Sequence, residues 1–349
     1  MSNKTPEIHV KQLQKGQETR WDAYVQKASP FAVYHLTAWK RVIENTFGHP
    51  VFYLYASHND DIIGVFPLVF LKSVLFGKFL VSLPYFNYGG ILADDDAIRR
   101  KLLEEAISIA RREGAAHIEM RHLHNYPFDL PTKTSKVLMV LDLPATTEEL
   151  WNSFKSKLRS QIRRPEKEEF TVRIGHLDEV NNFYQVFAHK MRELGTPVYT
   201  KKLFINILQE FPEAVRICTV SDGAKPIASG LILGFQHMLQ IPWAATLRAY
   251  DRFSVNMMLY WNILKFACEH GYTQFDFGRS TQDEGTYKFK QQWGSEPVPC
   301  YWQYWLAYSG DPPEINPDNP KYRLAINVWQ RLPLAVTNFL GPHIVKYIP

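Results

Sequence analysis

The chain has 349 residues, too many for one core of ordinary size, and this length indicates two domains. Hydrophobic residues make up 46% and charged residues 21%, a balance that excludes a disordered protein. The 40 basic and 35 acidic residues leave a formal net charge of +5. That excess is compatible with a phosphorylated substrate, but it is too small and too dispersed for a protein that binds duplex nucleic acid.

The N-terminal segment and the cysteines indicate a cytoplasmic protein. The segment has no apolar run of the kind that a secretory signal needs. The apolar region 62–86 is interrupted by Pro67 and by lysines, which favours strands over a membrane span. Cys218, Cys268 and Cys300 lie far apart with no Cys-x-x-Cys motif, so we expect neither a disulfide framework nor a metal site.

The first half of the sequence alternates helix and strand patterns. In chain order, the predicted elements are a helix over 34–43, strands over 52–56 and 62–69, a helix over 98–110 and a strand over 117–120. A polar turn joins the two strands, which predicts an antiparallel hairpin. Gly114 follows the second helix, where a left-handed residue ends a helix at low cost.

The second half repeats this order. Its predicted elements are a helix over 199–208, strands over 215–220 and 227–233, a helix over 257–267 and a strand over 274–277. Gly271 takes the place of Gly114. The match favours a duplication, although many βα units share a helix–glycine–strand order. We therefore predict two α/β (α+β) domains, each a mixed sheet flanked by helices, over 1–143 and 144–310, with a helical tail over 311–349.

A helix with a basic face is predicted where the second domain begins. Thr146 and Glu149 have the spacing of a capping box. Apolar residues at helical spacing form its buried stripe: Trp151, Phe154, Leu158 and Ile162. Lys155, Arg159 and Arg163 lie four apart on another face, with Lys157 and Arg164 nearby. This face is either a solvated surface or an anion site for a phosphorylated substrate.

Polar groups are densest at the end of the last predicted strand. Phe275 and Phe277 lie on one face of this strand and Asp276 on the other. The chain is predicted to break at Gly278 and to continue as a polar loop. That loop offers Arg279, Asp283, Glu284, Tyr287, Lys288 and Lys290. Such a loop at a strand end is where α/β folds place their sites.

This segment, FDFGRS followed by GTYKFKQQWGSEP, resembles the FemAB-type proteins. These are tandem acyltransferases with the fold of GCN5-related N-acetyltransferases (GNAT). The LPYFNYGG motif at 83–90 and the basic segment KLRSQIR at 157–163 fit the same pattern, and the resemblance covers about residues 20–308. More narrowly, the sequence resembles the branch encoded with bacterial exopolysaccharide and exosortase systems.

The resemblance implies an enzyme that transfers an acyl or aminoacyl group to an amine of a cell-envelope precursor, in peptidoglycan or exopolysaccharide synthesis. The donor would be acyl-CoA or aminoacyl-tRNA, used as a substrate and not as a tightly bound cofactor. Relatives that use tRNA carry a long charged helical arm in the second domain, which this sequence lacks. The turn over 248–256 lacks the glycines of an acyl-CoA turn. Both donors therefore stay open, and tRNA remains an expected partner beside the precursor.

Three residues are the expected catalytic groups. Lys290 matches the functional lysine of the family's Tyr-x-Phe-Lys motif and would bind the oxyanion or a substrate phosphate. Asp276 would act as the base, and Tyr287 would donate a proton to the leaving group. The alternatives are a surface lysine, a carboxylate that caps loop amides and a packing tyrosine.

The expected substrate-binding residues are Arg279, Asp283, Arg248, Tyr260, Lys157 and Arg159. Arg279 could clamp a carboxylate or phosphate, or pair with Asp276 or Asp283. Arg248 and Tyr260 would line the donor pocket. Lys157 and Arg159 would contact a phosphate of the acceptor.

Other motifs give weaker hypotheses. Asp276-Phe-Gly278 spells the kinase magnesium motif, but no glycine-rich loop accompanies it. His122 and His124 lack a third metal ligand at a suitable spacing.

The last functional hypotheses concern the tail and the protein's class. The apolar segment 324–340 with its flanking basic residues either docks on the protein's own core or lies at the inner face of the membrane. The competing class of function is a non-catalytic protein that binds a glycan or a nucleotide sugar and retains the GNAT fold.

Overall fold

The computed structural model describes residues 8–74, 76–313 and 320–349. They form two compact units. The first unit contains the described residues up to Val137 together with 299–313 and 347–349. The second unit contains 138–298 and 320–346.

Strands and helices alternate along most of the chain. The strands are β1 (His9–Gln12), β2 (Val51–His58), β3 (Asp61–Ser73), β4 (Gly77–Val81), β5 (Leu92–Ala93), β6 (His117–His122), β7 (Thr132–Lys133), β8 (Lys136–Asp142), β9 (Phe170–Gly175), β10 (Val215–Asp222), β11 (Lys225–Phe235), β12 (Met238–Thr246), β13 (Gln274–Thr281), β14 (Glu296–Pro299) and β15 (Tyr301–Leu306). The helices are α1 (Glu18–Val25), α2 (Ala38–Phe47), α3 (Asp96–Glu113), α4 (Thr147–Ser153), α5 (Ser156–Arg163), α6 (Val180–Leu194), α7 (Lys201–Glu210), α8 (Val255–Glu269), α9 (Gly285–Gln291), α10 (Pro320–Arg331) and α11 (Leu334–Val345).

The first unit is built on a mixed sheet in the order β1-β2-β3-β4-β6-β15-β7, with β5 paired to β3. Strands β4 and β6 are parallel, and their neighbours are antiparallel. Helix α3 begins at the N-cap Asp95, whose carboxylate accepts a hydrogen bond from the Ile98 backbone N–H. Its buried face, which includes Leu102, packs with Leu54 and Phe66 in the core.

The second unit repeats this architecture in the order β14-β8-β13-β12-β11-β10-β9. Its parallel pair is β12 and β13. Helices α6 and α8 pack against β11 and β12. Phe183 and Phe187 of α6 and Phe204 of α7 form an aromatic cluster within this core. The predicted mixed α/β fold with two sheets flanked by helices is confirmed.

Each sheet contains a strand that lies among the residues predicted for the other domain. Strand β8 precedes the predicted boundary at 143, yet it lies in the second sheet beside β13. Strand β15 precedes the predicted boundary at 310, yet it lies in the first sheet beside β6. The two units are therefore not contiguous segments of the chain. The predicted tail, 311–349, includes residues 314–319, which lie outside the described residues.

Two local predictions are wrong. The helix that begins at the Thr146 capping box does not run through to Arg163, because Phe154 is extended (φ −76°, ψ 140°) and separates α4 from α5. The Phe154 ring instead packs edge-on against Trp261 and Trp293, at centroid distances of 5.9 and 5.5 Å. The predicted polar loop after Gly278 is also mostly regular structure. Strand β13 continues to Thr281 beside its other neighbour, β8, and helix α9 begins at Gly285.

Candidate functional site

The candidate site lies where the parallel strands of the second sheet separate. Strands β12 and β13 pair over 238–240 and 274–276, and the pairing ends at Gln240 and Asp276. Beyond that point β12 continues along β11 to Thr246. The separation turns backbone groups of two neighbouring strands toward a gap that a ligand can enter.

Asp276 lies at the start of this gap and shapes the strand. Its side chain is 1% exposed, and Oδ1 accepts a hydrogen bond from the Gly278 backbone N–H at 2.7 Å. Gly278 has a φ of +79°, in the left-handed region that strains other residues. Asp276 therefore accepts a hydrogen bond from a backbone N–H of its own strand, β13.

Lys290 reaches the same place from helix α9. Its side chain is 8% exposed, and Nζ donates hydrogen bonds to the carbonyl oxygens of Gly278 and Arg279, at 2.9 and 2.8 Å. An ammonium has three N–H groups, so one remains for a substrate. Burial lowers the pKa of Lys290 to about 8; the negative charge of Asp276 opposes this effect, and the positive charge of Arg279 adds to it. The alternative of an ordinary surface lysine is excluded by this burial.

Aromatic side chains pack beside the lysine. Tyr260 of α8 stacks on Phe277 with a centroid distance of 5.6 Å and contacts Phe289 edge-on at 5.1 Å. Burial raises the pKa of Tyr260 to about 12, so its hydroxyl stays protonated at neutral pH. Tyr287 is buried in α9. The structure thus brings Asp276 and Lys290 together and places Tyr260 and Tyr287 on the two helices that flank β13.

The other predicted binding residues are more exposed. Arg279 is exposed at the end of β13, and Asp283 is exposed with a left-handed φ of +64°. Arg248 is exposed at the start of the 3-10 helix Arg248–Phe253, which leads into α8. Lys157 is exposed on α5, whereas Arg159 of the same helix is half-buried.

A basic cavity of about 770 Å³ lies along helix α5. Its lining residues are Ser156, Arg159, Ser160, Gln161, Arg163, Arg164 and Lys167. The guanidinium of Arg163 lies 5.1 Å from the Trp151 ring centroid, which holds it in place. Lys157 is not among the lining residues. Lys167 does line the cavity, but the sequence did not indicate it, because it follows Pro165 and so lies beyond the predicted basic helix. Cations without acids on the lining suit an anionic ligand.

The first unit has a cavity of about 770 Å³ that the sequence did not indicate. Asp94, Arg99 and His124 are among its lining residues. At its floor, His122 Nδ1 bonds to Gln303 Oε1 at 3.1 Å, and Nε2 accepts a hydrogen bond from the Ile91 N–H at 3.0 Å. Burial lowers the pKa of His122 to about 3, so the ring is neutral. Distant segments form this cavity, and Tyr88, Gly89 and Gly90 of the LPYFNYGG motif are among its lining residues.

Two further residues of the separated strands were missed by the sequence reasoning. Gln240 is 2% exposed and lies opposite Asp276 in the register of β12 and β13. The hydroxyl of Ser280 on β13 is buried without a hydrogen-bond partner among the described residues. The alternation of β13 could have marked Ser280, whereas the position of Gln240 depends on strand pairing.

Two other kinds of feature are absent from the described part of the chain. Its helices include none that is both long enough and apolar enough to cross a bilayer. Residues 8–74, 76–313 and 320–349 contain no group of three or more His, Cys, Asp or Glu side chains placed to hold a metal ion. The three cysteines are buried and unpaired with one another.

Known proteins share this architecture. Residues 152–291 match the acetyltransferase (GNAT) domain family. The structure of FemX superimposes with a TM-score of 0.65 at 16% identity, over 84% of this chain and 96% of FemX. The chain has the tandem GNAT fold. The predicted resemblance to FemAB-like tandem GNAT proteins is confirmed, and the narrower exopolysaccharide branch stays a prediction.

Two other solved structures are similar in fold. L-PGS from Bacillus licheniformis matches with a TM-score of 0.56 at 13% identity, over 92% of this chain and 100% of that one. A tandem GNAT protein from the clavulanic acid biosynthesis pathway matches with a TM-score of 0.55 at 10% identity, over 87% and 100%. None of the curated proteins matches the sequence significantly.

Proposed function

We propose that this tandem GNAT protein transfers an acyl or aminoacyl group to an amine of a cell-envelope precursor. The GNAT domain over 152–291 supports group transfer, and the FemAB-like resemblance supports an acceptor of the cell envelope. The observation that carries the proposal is the buried pair of Lys290 and Asp276 where β12 and β13 separate. A cation and a carboxylate at a strand gap are the groups that acyl transfer requires.

The reaction needs a group that stabilises the oxyanion and groups that transfer protons, all at one place. The amine nitrogen attacks the donor carbonyl carbon and forms a tetrahedral oxyanion. The carbon–sulfur bond of a thioester, or the carbon–oxygen bond of an aminoacyl ester, then breaks. The leaving group takes up a proton, and the amine gives one up, so the protons balance.

Each predicted catalytic residue has a role in this scheme. Lys290 presents its remaining N–H and its charge to the oxyanion or to a substrate phosphate. Asp276 accepts the amine proton, and Tyr287 supplies a proton to the leaving group. Arg279 and Asp283 orient the substrates at the end of β13.

The donor is acyl-CoA or aminoacyl-tRNA, and the start of α8 supports acyl-CoA. The turn before this helix has no glycine, yet Ser254 adopts a left-handed conformation (φ +60°). The backbone turn that glycine would favour is therefore present. The Ser254 side chain does not cap α8, and an anionic pyrophosphate suits a helix N-terminus. Arg248 and Tyr260 would line this donor pocket.

The acceptor's phosphate belongs to the basic cavity of α5. Arg159 lines this cavity and is partly buried, so it offers a fixed cation. Lys157 lies outside the lining and would contribute charge only from the rim. A nucleotide-linked or lipid-linked precursor carries such a phosphate.

Thermal unfolding with acetyl-CoA and a transfer assay together test the proposal. A donor at 100 times its dissociation constant adds about 2.7 kcal/mol to the free energy of unfolding, which raises Tm by a few degrees. Transfer would be followed as CoA thiol release with UDP-linked muramyl peptides or amino sugars as acceptors. If acetyl-CoA gives no shift, transfer of a labelled amino acid from charged tRNA to the same acceptors is the second assay.

Lys290→Ala and Lys288→Ala are matched variants, because both lysines lie on α9 and Lys288 is exposed. We expect Lys290→Ala to lower the transfer rate by about a hundredfold, since it removes the cation at the oxyanion. Lys288→Ala should leave the rate unchanged. Equal rates for the two variants would refute the role of Lys290. No transfer from either donor would refute the enzyme.

The cavity of the first unit favours a second candidate function, a non-catalytic protein that binds a glycan or a nucleotide sugar. Arg99 and Asp94 among its lining residues could bind sugar hydroxyls or a phosphate. In that case, UDP-linked sugars would raise Tm while neither donor supported transfer.

A further inference from the structure

The last two helices of the second unit leave large apolar side chains in solvent. Leu324 and Phe339 are 68% and 70% exposed. Val328, Val336 and Leu340 are exposed as well. We call these five residues of α10 and α11 the outer apolar face.

The opposite face of each helix is already used for docking. On α10, Ile326 lies against Gly195, and Gln330 Nε2 donates to the Glu193 backbone carbonyl at 2.9 Å, so the helix packs at the end of α6. A helical wheel places Leu324 and Val328 on the side away from these contacts.

Helix α11 is held as closely. A Cβ atom added to Gly341 would lie 2.8 Å from the backbone nitrogen of Val198, so the helix approaches that backbone too closely for any side chain. Thr337 and Val345 are buried on the same face. Val336, Phe339 and Leu340 lie on the opposite side of the wheel. The fold therefore buries one face of each helix and still exposes a second apolar face.

The charged residues of the segment 320–349 all have one sign. The sequence from 320 to 349 contains no Asp or Glu, and its cations are Lys321, Arg323, Arg331 and Lys346. Arg323 and Arg331 are exposed. Arg331 lies on the same side of α10 as Leu324 and Val328. A surface of apolar side chains with cations beside them matches the headgroup region of an anionic bilayer.

We propose that the outer apolar face binds the surface of an anionic lipid bilayer, with its apolar side chains among the acyl chains, Arg331 beside them at the headgroups and the exposed Arg323 adding positive charge from the flank of α10. A second copy of the chain is a poorer occupant. A two-fold dimer through this face would bring its cations against the same cations of the partner. The proposal does not rest on the transfer reaction, because lipid binding needs neither donor nor acceptor.

Vesicle flotation of the full-length protein tests this surface. Vesicles of phosphatidylcholine with about 30 mol% phosphatidylglycerol would be compared with phosphatidylcholine alone. The variant Leu324→Ser with Phe339→Ser removes the apolar side chains. The matched control, Val74→Ser with Tyr308→Ser, removes two exposed apolar side chains of the first unit. Both pairs are exposed, so the variants should melt at the wild-type temperature.

We expect the wild type to float with anionic vesicles and the tail variant to lose at least about tenfold in partition coefficient. The control should bind as the wild type does. Arg323→Gln with Arg331→Gln should weaken binding to anionic vesicles about tenfold or more and leave any binding to neutral vesicles unchanged.

Three outcomes would overturn the proposal. One is a wild-type protein that stays in the unbound fraction. Another is a control variant that binds as weakly as the tail variant. The third is a wild-type dimer, measured by light scattering, that Leu324→Ser with Phe339→Ser converts to a monomer, because the face would then belong to a second copy.

Discussion

At the scale of single residues, Lys290 is held by opposing effects. Burial favours the neutral amine, whereas the two carbonyl hydrogen bonds and the charge of Asp276 favour the cation. Burial has the larger effect, so the pKa falls to about 8 from an ordinary value of 10.5. The lysine is therefore a cation at neutral pH that loses its proton under mildly alkaline conditions.

This pKa shift predicts a pH-dependent free energy of unfolding. Between pH 8 and 10.5 the unfolded chain binds more protons at this site than the folded protein, so stability rises with pH through that window. This gain in the free energy of unfolding is complete above 10.5, the pKa of the lysine in the unfolded chain. It is lost as the pH falls through about 8, the pKa in the folded protein. Relative to Lys290→Met, the wild type should gain up to roughly 3 kcal/mol across the window.

Urea unfolding at a series of pH values measures this difference. Lys290→Met removes the hydrogen bonds that Nζ donates to the carbonyls of Gly278 and Arg279, but that loss is independent of pH and cancels from the trend. A constant difference between wild type and variant across the window would show that Lys290 keeps its ordinary pKa.

At the scale of elements, the junction of β13 and α9 depends on one glycine and tolerates change at another. Gly278 has a φ of +79°, whereas a Cβ atom at Gly285 meets nothing within 4 Å. Gly278→Ala should lower the free energy of unfolding by about 1–2 kcal/mol, because a left-handed conformation strains alanine. Gly285→Ala should stay within about 0.5 kcal/mol of wild type.

Chemical denaturation of both variants checks this pair. The substitution is the same in each, so Gly285→Ala serves as the control for a methyl group added where it meets no neighbour. Equal stabilities would mean that the chain turns at Gly278 without a left-handed residue.

Most elements were predictable from the sequence because their signals are local. The apolar spacing of α3 and the glycines at 114 and 271 lie within the elements that they shape. The break at Phe154 was not predictable, since it depends on tryptophans more than a hundred residues away. Lys290 was identified by its motif, but its two carbonyl partners depend on how α9 returns to β13.

At the scale of the whole molecule, the duplication is not two independent copies. Apart from β5, the sheet orders match strand for strand, and in each sheet one strand beside the parallel pair belongs to the other half of the sequence. The order of elements along the chain predicted two contiguous domains. The spacing of elements in a sequence carries no information about which distant strand pairs with a sheet, so the positions of β8 and β15 were not predicted. Buried polar groups of the first sheet depend on β15, the strand that the other half supplies. Gln303 of β15 bonds to His122, and Trp302 stacks on Arg121 at 4.3 Å.

Because each sheet includes a strand from the other half of the sequence, we predict that neither half folds alone. A fragment of residues 1–143 lacks β15, so it would expose the edge of β6 and leave His122 without Gln303. A fragment of 144–310 lacks β8 beside β13. Each fragment alone should show no cooperative thermal transition by circular dichroism, because an open central edge and unpaired buried polar groups remove more stability than a domain possesses. Produced together, the two fragments should regain a cooperative transition. A cooperative transition in the isolated 1–143 fragment would show that the first sheet is stable without β15, the strand that the other half of the sequence supplies.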